Sequence, residues 1–306
     1  MAASVFMLGK GGTGKTTVAA LLAIFCARAG HKVLLISLDP AHNLSDILEK
    51  KIKAQPTVVN KGLRAMEVDL QEWVDRYLKR TSDAVRKNYQ YLSALSLEKY
   101  IDLYRYTPGL DAQGLLMAYQ QLISEQEHMD YLIFDMPPTA LSLQFFRLPG
   151  LSLEWLNRLS GLRNEILEKQ KIITRIKVGK HTFEQDKPLA EIRRKLADNK
   201  RLISSLQNPH LNSYILVCNP DTLSLNEAAD ITDRFSTWGF PVRQLVINKL
   251  TKPSVGSDEL PEQLRNLAKQ HLHQSDGSLS GRIALNQFLD GHKQVFAQLK
   301  ARIGTS

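Results

Sequence analysis

The stretch Gly9-Lys10-Gly11-Gly12-Thr13-Gly14-Lys15-Thr16-Thr17 decides how this chain folds. It fits the spacing G-x-x-x-x-G-K-[ST], in which glycines let successive backbone N–H groups turn inward around phosphates. Lys15 supplies a point charge to the β/γ oxygens, and the Thr16 hydroxyl can hold Mg²⁺. The expected nucleotide-binding residues are therefore Gly9, Lys10, Gly11, Gly12, Thr13, Gly14, Lys15, Thr16 and Thr17. Lys10 is a second lysine that an ordinary phosphate loop does not need. It leaves a glycine-rich turn where its side chain can point away from its own nucleotide, which asks for a second molecule.

The flanks of the loop agree with this reading. Ser4-Val5-Phe6-Met7-Leu8 is a short apolar run suited to a buried parallel strand, and Val18 to Ala29 reads as a helix closed by Gly30. Strand, glycine loop and helix together place the phosphates on a helix N-terminus. Val18 to Ala27 are all apolar, but ten residues are too few to span a membrane, so this helix is expected to cover a sheet.

Further apolar runs predict strands at Lys32–Ser37, Arg64–Val68, Tyr131–Phe134, Tyr214–Cys218 and Leu245–Asn248. Helical patterns separate them. The expected fold class is α/β, a doubly wound and mostly parallel sheet of the P-loop NTPase kind with an inserted α-helical subdomain. Residues 1–306 are read as one ATPase domain, and the helical subdomain is formed by about 70–126 and 151–207. The first insert carries an apolar stripe at Leu115, Leu116, Tyr119, Leu122 and Ile123; the second carries Trp155, Leu159, Leu162 and Ile166. Each stripe either lines a groove or packs against neighbouring helices.

Composition narrows the function classes. The chain has 306 residues, 43% of them hydrophobic, and a mean hydropathy of −0.24, as expected of a globular protein. No apolar run reaches membrane-span length and no secretory signal precedes the first strand, so a cytoplasmic location is expected. The two cysteines, Cys26 and Cys218, exclude a disulfide framework or a Cys-x-x-Cys metal site within one chain. Net charge is +9, and the segment Arg158–Arg201 holds 13 Lys/Arg against 6 Asp/Glu. An anionic surface or an acidic partner would suit it; a solvated helix face suits it as well. Without interleaved aromatics it is no platform for nucleic acid.

Other segments carry chemistry. Asp39-Pro40-Ala41-His42-Asn43-Leu44-Ser45-Asp46 follows the second strand, where ligands of doubly wound sheets bind. One of its carboxylates can enter the Mg²⁺ shell and the other can orient a water, although Asp46 could also be a helix N-cap. Asp135 ends the apolar strand Tyr131–Phe134 as a Walker B carboxylate does, holding metal through water. Met136-Pro137-Pro138-Thr139 leaves that strand as a stiff loop able to move with a γ-phosphate. Val246-Ile247-Asn248-Lys249-Leu250-Thr251 begins like a guanine-reading motif, but Thr251 cannot supply the aspartate's bidentate acceptor. Adenine is favoured, with Asn248 as its amide partner or else as the cap of a turn.

Gly9–Thr17 with Lys10 resembles the deviant Walker A loop of a superfamily of dimeric ATPases. That superfamily includes signal-recognition, septum-site and nitrogenase iron proteins. Asp39–Asp46 resembles switch I of the arsenite-pump and guided-entry (tail-anchored-protein targeting) ATPase family. Leu63–Asp69, Pro108–Asp111, Leu148-Pro149 and Leu223–Glu227 are similar to further motifs of that family. The resemblance implies an ATP-hydrolysing, Mg²⁺-dependent homodimer with two ATP molecules at its interface. Lys10 would reach the partner's phosphates and Asp46 would orient the attacking water, so Asp46, Lys10 and Lys15 are the expected catalytic residues. Thr16, Asp39 and Asp135 would attend the metal, and Asn248 would face adenine.

The resemblance also implies a hydrophobic helical client or membrane-protein segment bound under nucleotide control. The alternative it offers is the energising subunit of an anion or arsenite efflux pump. Three departures stand out. The zinc clamp that closes related dimers has no Cys-x-x-Cys here, so no zinc is expected. The pattern Asp-Thr-Ala-Pro-Thr-Gly-His-Thr of switch II is replaced by Asp135-Met136-Pro137-Pro138-Thr139-Ala140-Leu141-Ser142. No adenine loop is recognisable between Gln270 and Leu285.

Overall fold

A computed structural model describes residues 2–41, 44–88, 107–177, 186–240, 242 and 244–249. The expectations for His42, Asn43, Thr251 and the segment Gln270–Leu285 lie outside the described residues, as do residues 89–106 and 178–185 of the two helical inserts. In chain order the elements are β1 (Ala3–Leu8), α1 (Lys15–Arg28), β2 (Val33–Ser37), α2 (Leu44–Ile47), β3 (Thr57–Asn60), β4 (Leu63–Glu67) and α3 (Leu70–Asn88). They continue with α4 (Leu110–Glu125), β5 (Tyr131–Asp135), α5 (Thr139–Lys177), α6 (Lys187–Gln207), β6 (Asn212–Cys218), α7 (Thr222–Thr237) and β7 (Gln244–Ile247).

The strands form one sheet in the order β3-β4-β2-β5-β1-β6-β7, parallel except where β3 meets β4. The α/β, doubly wound, mostly parallel sheet expected from the sequence is the one found. All six expected strands are present with ends shifted by at most two residues. β3 is the addition. It forms a hairpin with β4 through Lys61-Gly62, where Gly62 has φ +87°, and its residues alternate between half-buried and exposed. Such a four-residue edge strand lacks the apolar density that marks a core strand. α1 begins at Lys15, three residues before the expected Val18, because the end of the phosphate loop is itself the first helical turn.

The chain divides into two compact units. One contains Met1–Val68, Glu125–Thr139 and Pro209–Ser306, hence the sheet with α1, α2 and α7. On one face of that sheet, Val5, Met7, Val33, Leu35, Leu63, Ala65 and Ile133 share a core with Val18, Ala19, Ala20, Ala23, Ile24 and Ala27 of α1. The alanines let the helix approach the strands closely. On the other face Phe6 stacks between Phe134 and Tyr214 of the two flanking strands, with ring centroids 5.2 Å away on each side. In-register pairing of Phe6 with both neighbours produces the stack.

The second unit contains Asp69–Ser124 and Ala140–Asn208. Val74, Leu78 and Leu110 form its described cluster with Leu70 and Tyr77. A Cβ on Gly114 would lie 2.9 Å from Val74 Cγ2, so glycine sets how closely α3 and α4 meet. Asp186 caps α6 by accepting from Leu189 N at 2.7 Å, and the Arg163 guanidinium donates to the same carboxylate, tying α5 to α6. The second insert was expected from Leu151; the helix that fills it begins at Thr139 and runs through Pro149 without a break. On α5 the side chains of Leu151, Trp155, Leu162 and Ile166 are exposed, Trp155 by 64%. Their spacing of four, seven and four residues places them on one stripe. Among the described residues no helix is long and apolar enough to cross a membrane.

Removing the middle ring of the stack tests this account of the core. Phe6→Ala should lower the unfolding free energy by about 3–5 kcal/mol, as large core truncations do. Chemical denaturation reads the change, and a loss below about 1 kcal/mol would show that the ring carries little of the core.

Candidate functional site

Two rows of the sheet explain how distant motifs meet. Val5, Ile133, Leu35 and Ala65 are aligned across β1, β5, β2 and β4, and two residues further along each strand so are Met7, Asp135, Ser37 and Glu67. Side chains two apart share a face. The α1 face therefore changes from apolar to polar within one step, at the C-terminal ends of the strands. Ser37, Glu67 and Asp135 stand there, level with the start of the phosphate loop.

The loop is closed on one carbonyl. Lys10 O accepts from Thr13 Oγ1 at 2.8 Å, Thr13 N at 3.3 Å and Lys15 Nζ at 3.2 Å. Gly9 has φ +142°, and a Cβ there would sit 2.1 Å from the Val217 carbonyl oxygen of β6. Gly14, φ +89°, precedes α1 and gives it no side-chain cap. The first-turn N–H groups of α1 are thus left as donors for an anion. Thr16 and Thr17 lie in that turn.

Asn248 is brought to this loop from the last described strand. Its Nδ2 donates to Thr13 O at 2.8 Å, while its Oδ1 accepts from Lys249 N. A Cβ on Gly14 would collide with this amide at 2.3 Å. Lys249 adopts φ +58° and sends its ammonium to Gly12 O at 2.7 Å. Two consecutive residues thereby fix two loop carbonyls.

Charge is concentrated in little space. Lys15 is 5% exposed. Burial holds its pKa below the usual lysine range, against the pull of Asp135, Asp39 and Glu227. Asp135 is fully buried, and its pKa is pushed up to about 7 by desolvation, with Thr16 and Lys15 favouring the ionised form. Neither of its carboxylate oxygens has a completed hydrogen bond; the Thr16 hydroxyl approaches without making one. Buried polar atoms in folded proteins nearly always have partners. Two orphaned oxygens beside a hydroxyl, with a second carboxylate at Asp39, make a hard oxygen donor set of the kind Mg²⁺ takes.

Asp39 lies at the end of β2, half-buried, its Oδ1 accepting from Ala41 N at 3.0 Å. Asp46 is exposed on the single turn α2. Lys10 is half-buried, and its charge helps hold the Asp221 carboxyl below the usual range, after the stronger effect of the hydrogen bonds from Ser224. Thr139, at the start of α5, donates to Glu227 of α7. Three site-forming residues escaped the sequence reading. Glu67 and Glu227 sat inside motifs noted only for their resemblance, and Lys249 follows Asn248 with nothing in its type to announce a loop contact.

A family model described as "Anion-transporting ATPase" matches residues 2–279. The chain is 28% identical to "ATPase ARSA2" of Chlamydomonas reinhardtii, over 88% of this chain and 74% of that protein. It is 29% identical to "ATPase GET3" of Chaetomium globosum, over 88% and 79% respectively. With "ATPase ASNA1 homolog 1" of Paramecium tetraurelia it shares 28% identity over 81% of this chain and 75% of that protein.

The raised Asp135 pKa has a thermodynamic signature. Unfolding returns the carboxyl to about 3.8. Between there and about 7 the unfolded chain gives up a proton that the folded one keeps, so the stabilising contribution is full below the lower value and is lost as pH rises. Asp135→Asn removes that slope. Without nucleotide or Mg²⁺, the stability of the variant relative to wild type should therefore grow with pH across this window. Parallel stability curves in thermal denaturation would show that Asp135 is ionised throughout.

Proposed function

The chain belongs to the anion-transporting ATPase family and hydrolyses ATP, and from that premise we propose a homodimer whose nucleotide-driven opening and closing controls the binding of a hydrophobic helical segment. The observation that carries the client half of this reading is the exposed stripe Leu151, Trp155, Leu162 and Ile166 on α5. Exposed apolar residues aligned on one helix face are an expected docking surface for another apolar helix. Relatives carrying the name GET3, and the guided-entry switch I pattern at Asp39–Asp46, point the same way. The second helical unit, built on the inserts at about 70–126 and 151–207, is the client-binding part of a single ATPase domain.

The residues of the site have defined tasks in this reading. The N–H groups from Gly11 to Thr16 cradle the phosphates, and Lys15 exchanges the Lys10 carbonyl for the β/γ oxygens. A bound Mg²⁺ would neutralise polyphosphate charge, and Thr16, Asp39 and Asp135 would hold it. Asp46 orients the water that attacks the γ-phosphorus as the bond to the β–γ bridging oxygen breaks. Lys10, on the rim of its own loop, reaches the partner's phosphates, so that ATP holds the dimer together and hydrolysis releases it. Asn248 keeps one amide hydrogen and one lone pair beyond its described bonds, the complement that the N1 and N6 positions of adenine require.

The anion-transporting character of the family keeps the energising subunit of an anion pump as the alternative. Its two cysteines sit in different elements, Cys26 in α1 and Cys218 buried in β6, which gives a soft metalloid no thiol cluster. Stimulation of hydrolysis by arsenite would favour that alternative over the client reading.

Asp46→Asn should cut turnover by about a hundredfold or more while an ATP-dependent dimer persists in size-exclusion chromatography. Turnover at the wild-type rate would remove Asp46 from catalysis. Lys10→Ala should bind nucleotide as a monomer and fail to dimerise. Trp155→Asp should abolish ATP-dependent binding of a fluorescent apolar helical peptide; unchanged binding would move the client elsewhere.

A further inference from the structure

We propose that Glu67 is a positioning residue for hydrolysis, a carboxylate that fastens the N-terminus of the switch I turn to the sheet and so fixes where Asp46 stands. Glu67 is 9% exposed and sits at the end of β4. Its Oε1 accepts from Leu44 N at 3.0 Å and Ser45 N at 3.2 Å, and its Oε2 from the Ser45 hydroxyl at 3.4 Å. The same hydroxyl accepts from Ile52 N at 3.1 Å, so the chain leaving α2 is held by the residue that Glu67 holds.

The physical need is plain. α2 spans Leu44–Ile47, and a single turn does not stand alone in water because its nucleus is unfavourable. Its first N–H groups have no intrahelical acceptor. A side chain from another strand accepts two of them, and a negative charge at that end also suits the helix dipole. Glu67 is itself anchored: its N–H donates to Lys53 O at 3.0 Å, and it is level with Ser37, which is level with Asp135. The exposed Asp46 follows Ser45 directly. Its backbone is therefore referenced to the same sheet row as the buried Asp135, although 89 positions of sequence separate Asp46 from Asp135.

None of the hydrogen bonds of this clamp is made to the phosphate loop, which predicts a split between binding and chemistry. The inference rests on Asp46 orienting the water, and the experiment separates the two ideas. ATP turnover is measured for wild type, Glu67→Ala, Glu67→Gln, Asp46→Asn and the Asp46→Asn/Glu67→Ala pair, the slow variants by single turnover. Glu67→Ala should lower kcat by about 10- to 30-fold, the scale of a lost helix cap with its partner bonds, while KM for ATP changes by less than about twofold. Glu67→Gln keeps an acceptor for both N–H groups and should recover most of that loss. In the Asp46→Asn background Glu67→Ala should add nothing, because both changes act through one group. Hydrogen exchange at the Leu44 and Ser45 amides should quicken in Glu67→Ala.

Asp46→Asn at the wild-type rate would sink the reading of Asp46. A slow Asp46→Asn with Glu67→Ala at the wild-type rate would overturn the clamp alone. So would an equal fold-loss from Glu67→Ala in both backgrounds, or a changed KM with kcat retained. Should Glu67→Ala fail to fold, Glu67→Asp, whose carboxylate is withdrawn by one methylene, carries the same cycle with the same criteria.

Discussion

The whole arrangement depends on keeping a lysine and an aspartate out of water at the C-terminal edge of a parallel sheet. Lys15 and Asp135 both lie below the surface, and each is pushed toward its neutral form by burial. A charge in such a place is tolerated only when something opposite meets it. The phosphate loop meets part of this demand by offering Lys15 its own carbonyl at Lys10. The carboxylate oxygens of Asp135 are met by nothing complete. Polyphosphate and a divalent cation carry the complementary charges, and in the proposed function they are the partners that complete these groups. The fold must be stable enough elsewhere to sustain this strain, and the apolar faces on both sides of the central strands supply that stability.

Register converts this local chemistry into geometry. A parallel sheet presents all its strand ends on one edge, and aligned residues two steps apart alternate between core and ligand with no additional machinery. Glu67, Ser37, Asp135 and Met7 come from segments scattered over more than a hundred positions, yet one row of pairing sets their heights. A one-residue slip of β4 would turn Glu67 to the opposite face, where Met66 now packs, and leave the Leu44 and Ser45 amides without an acceptor. Buried register and switch I geometry are one constraint.

Much of this was legible in the chain because each signal was local. Gly9–Thr17 announced the loop, the apolar runs announced six strands, and Asp135 announced itself by ending one of them. The loop fold followed because a strand, a glycine turn and a helix in that order have few alternatives. What stayed hidden depends on contacts between distant residues. Val58 and Val59 in β3 could not be told from a loop, since an edge strand needs few apolar positions. The second insert was expected from Leu151, but its helix α5 begins at Thr139 and continues through Pro149. Glu67 looked like any polar strand end until its carboxylate was found on the Leu44 and Ser45 amides. Asn248 was read for its likeness to a base-reading motif, and the structure adds its grip on Thr13, a contact across 235 positions that no local pattern encodes.

That last contact bears on how the molecule is made. Thr13 and Gly12 emerge among the first residues of the nascent chain, whereas Asn248 and Lys249 follow 235 and 237 residues behind the carbonyls they secure. Synthesis at about 5–20 residues per second separates the two events by tens of seconds at the slow limit. Throughout that interval the loop exists without its far brace, and β1 lacks the β6 strand whose Val217 carbonyl fits against Gly9. A ribosome-bound fragment ending before β6 therefore carries the full nucleotide signature in its sequence but lacks the walls that give the signature its shape. The last of the described strands to appear leads into the two residues that finish the first loop.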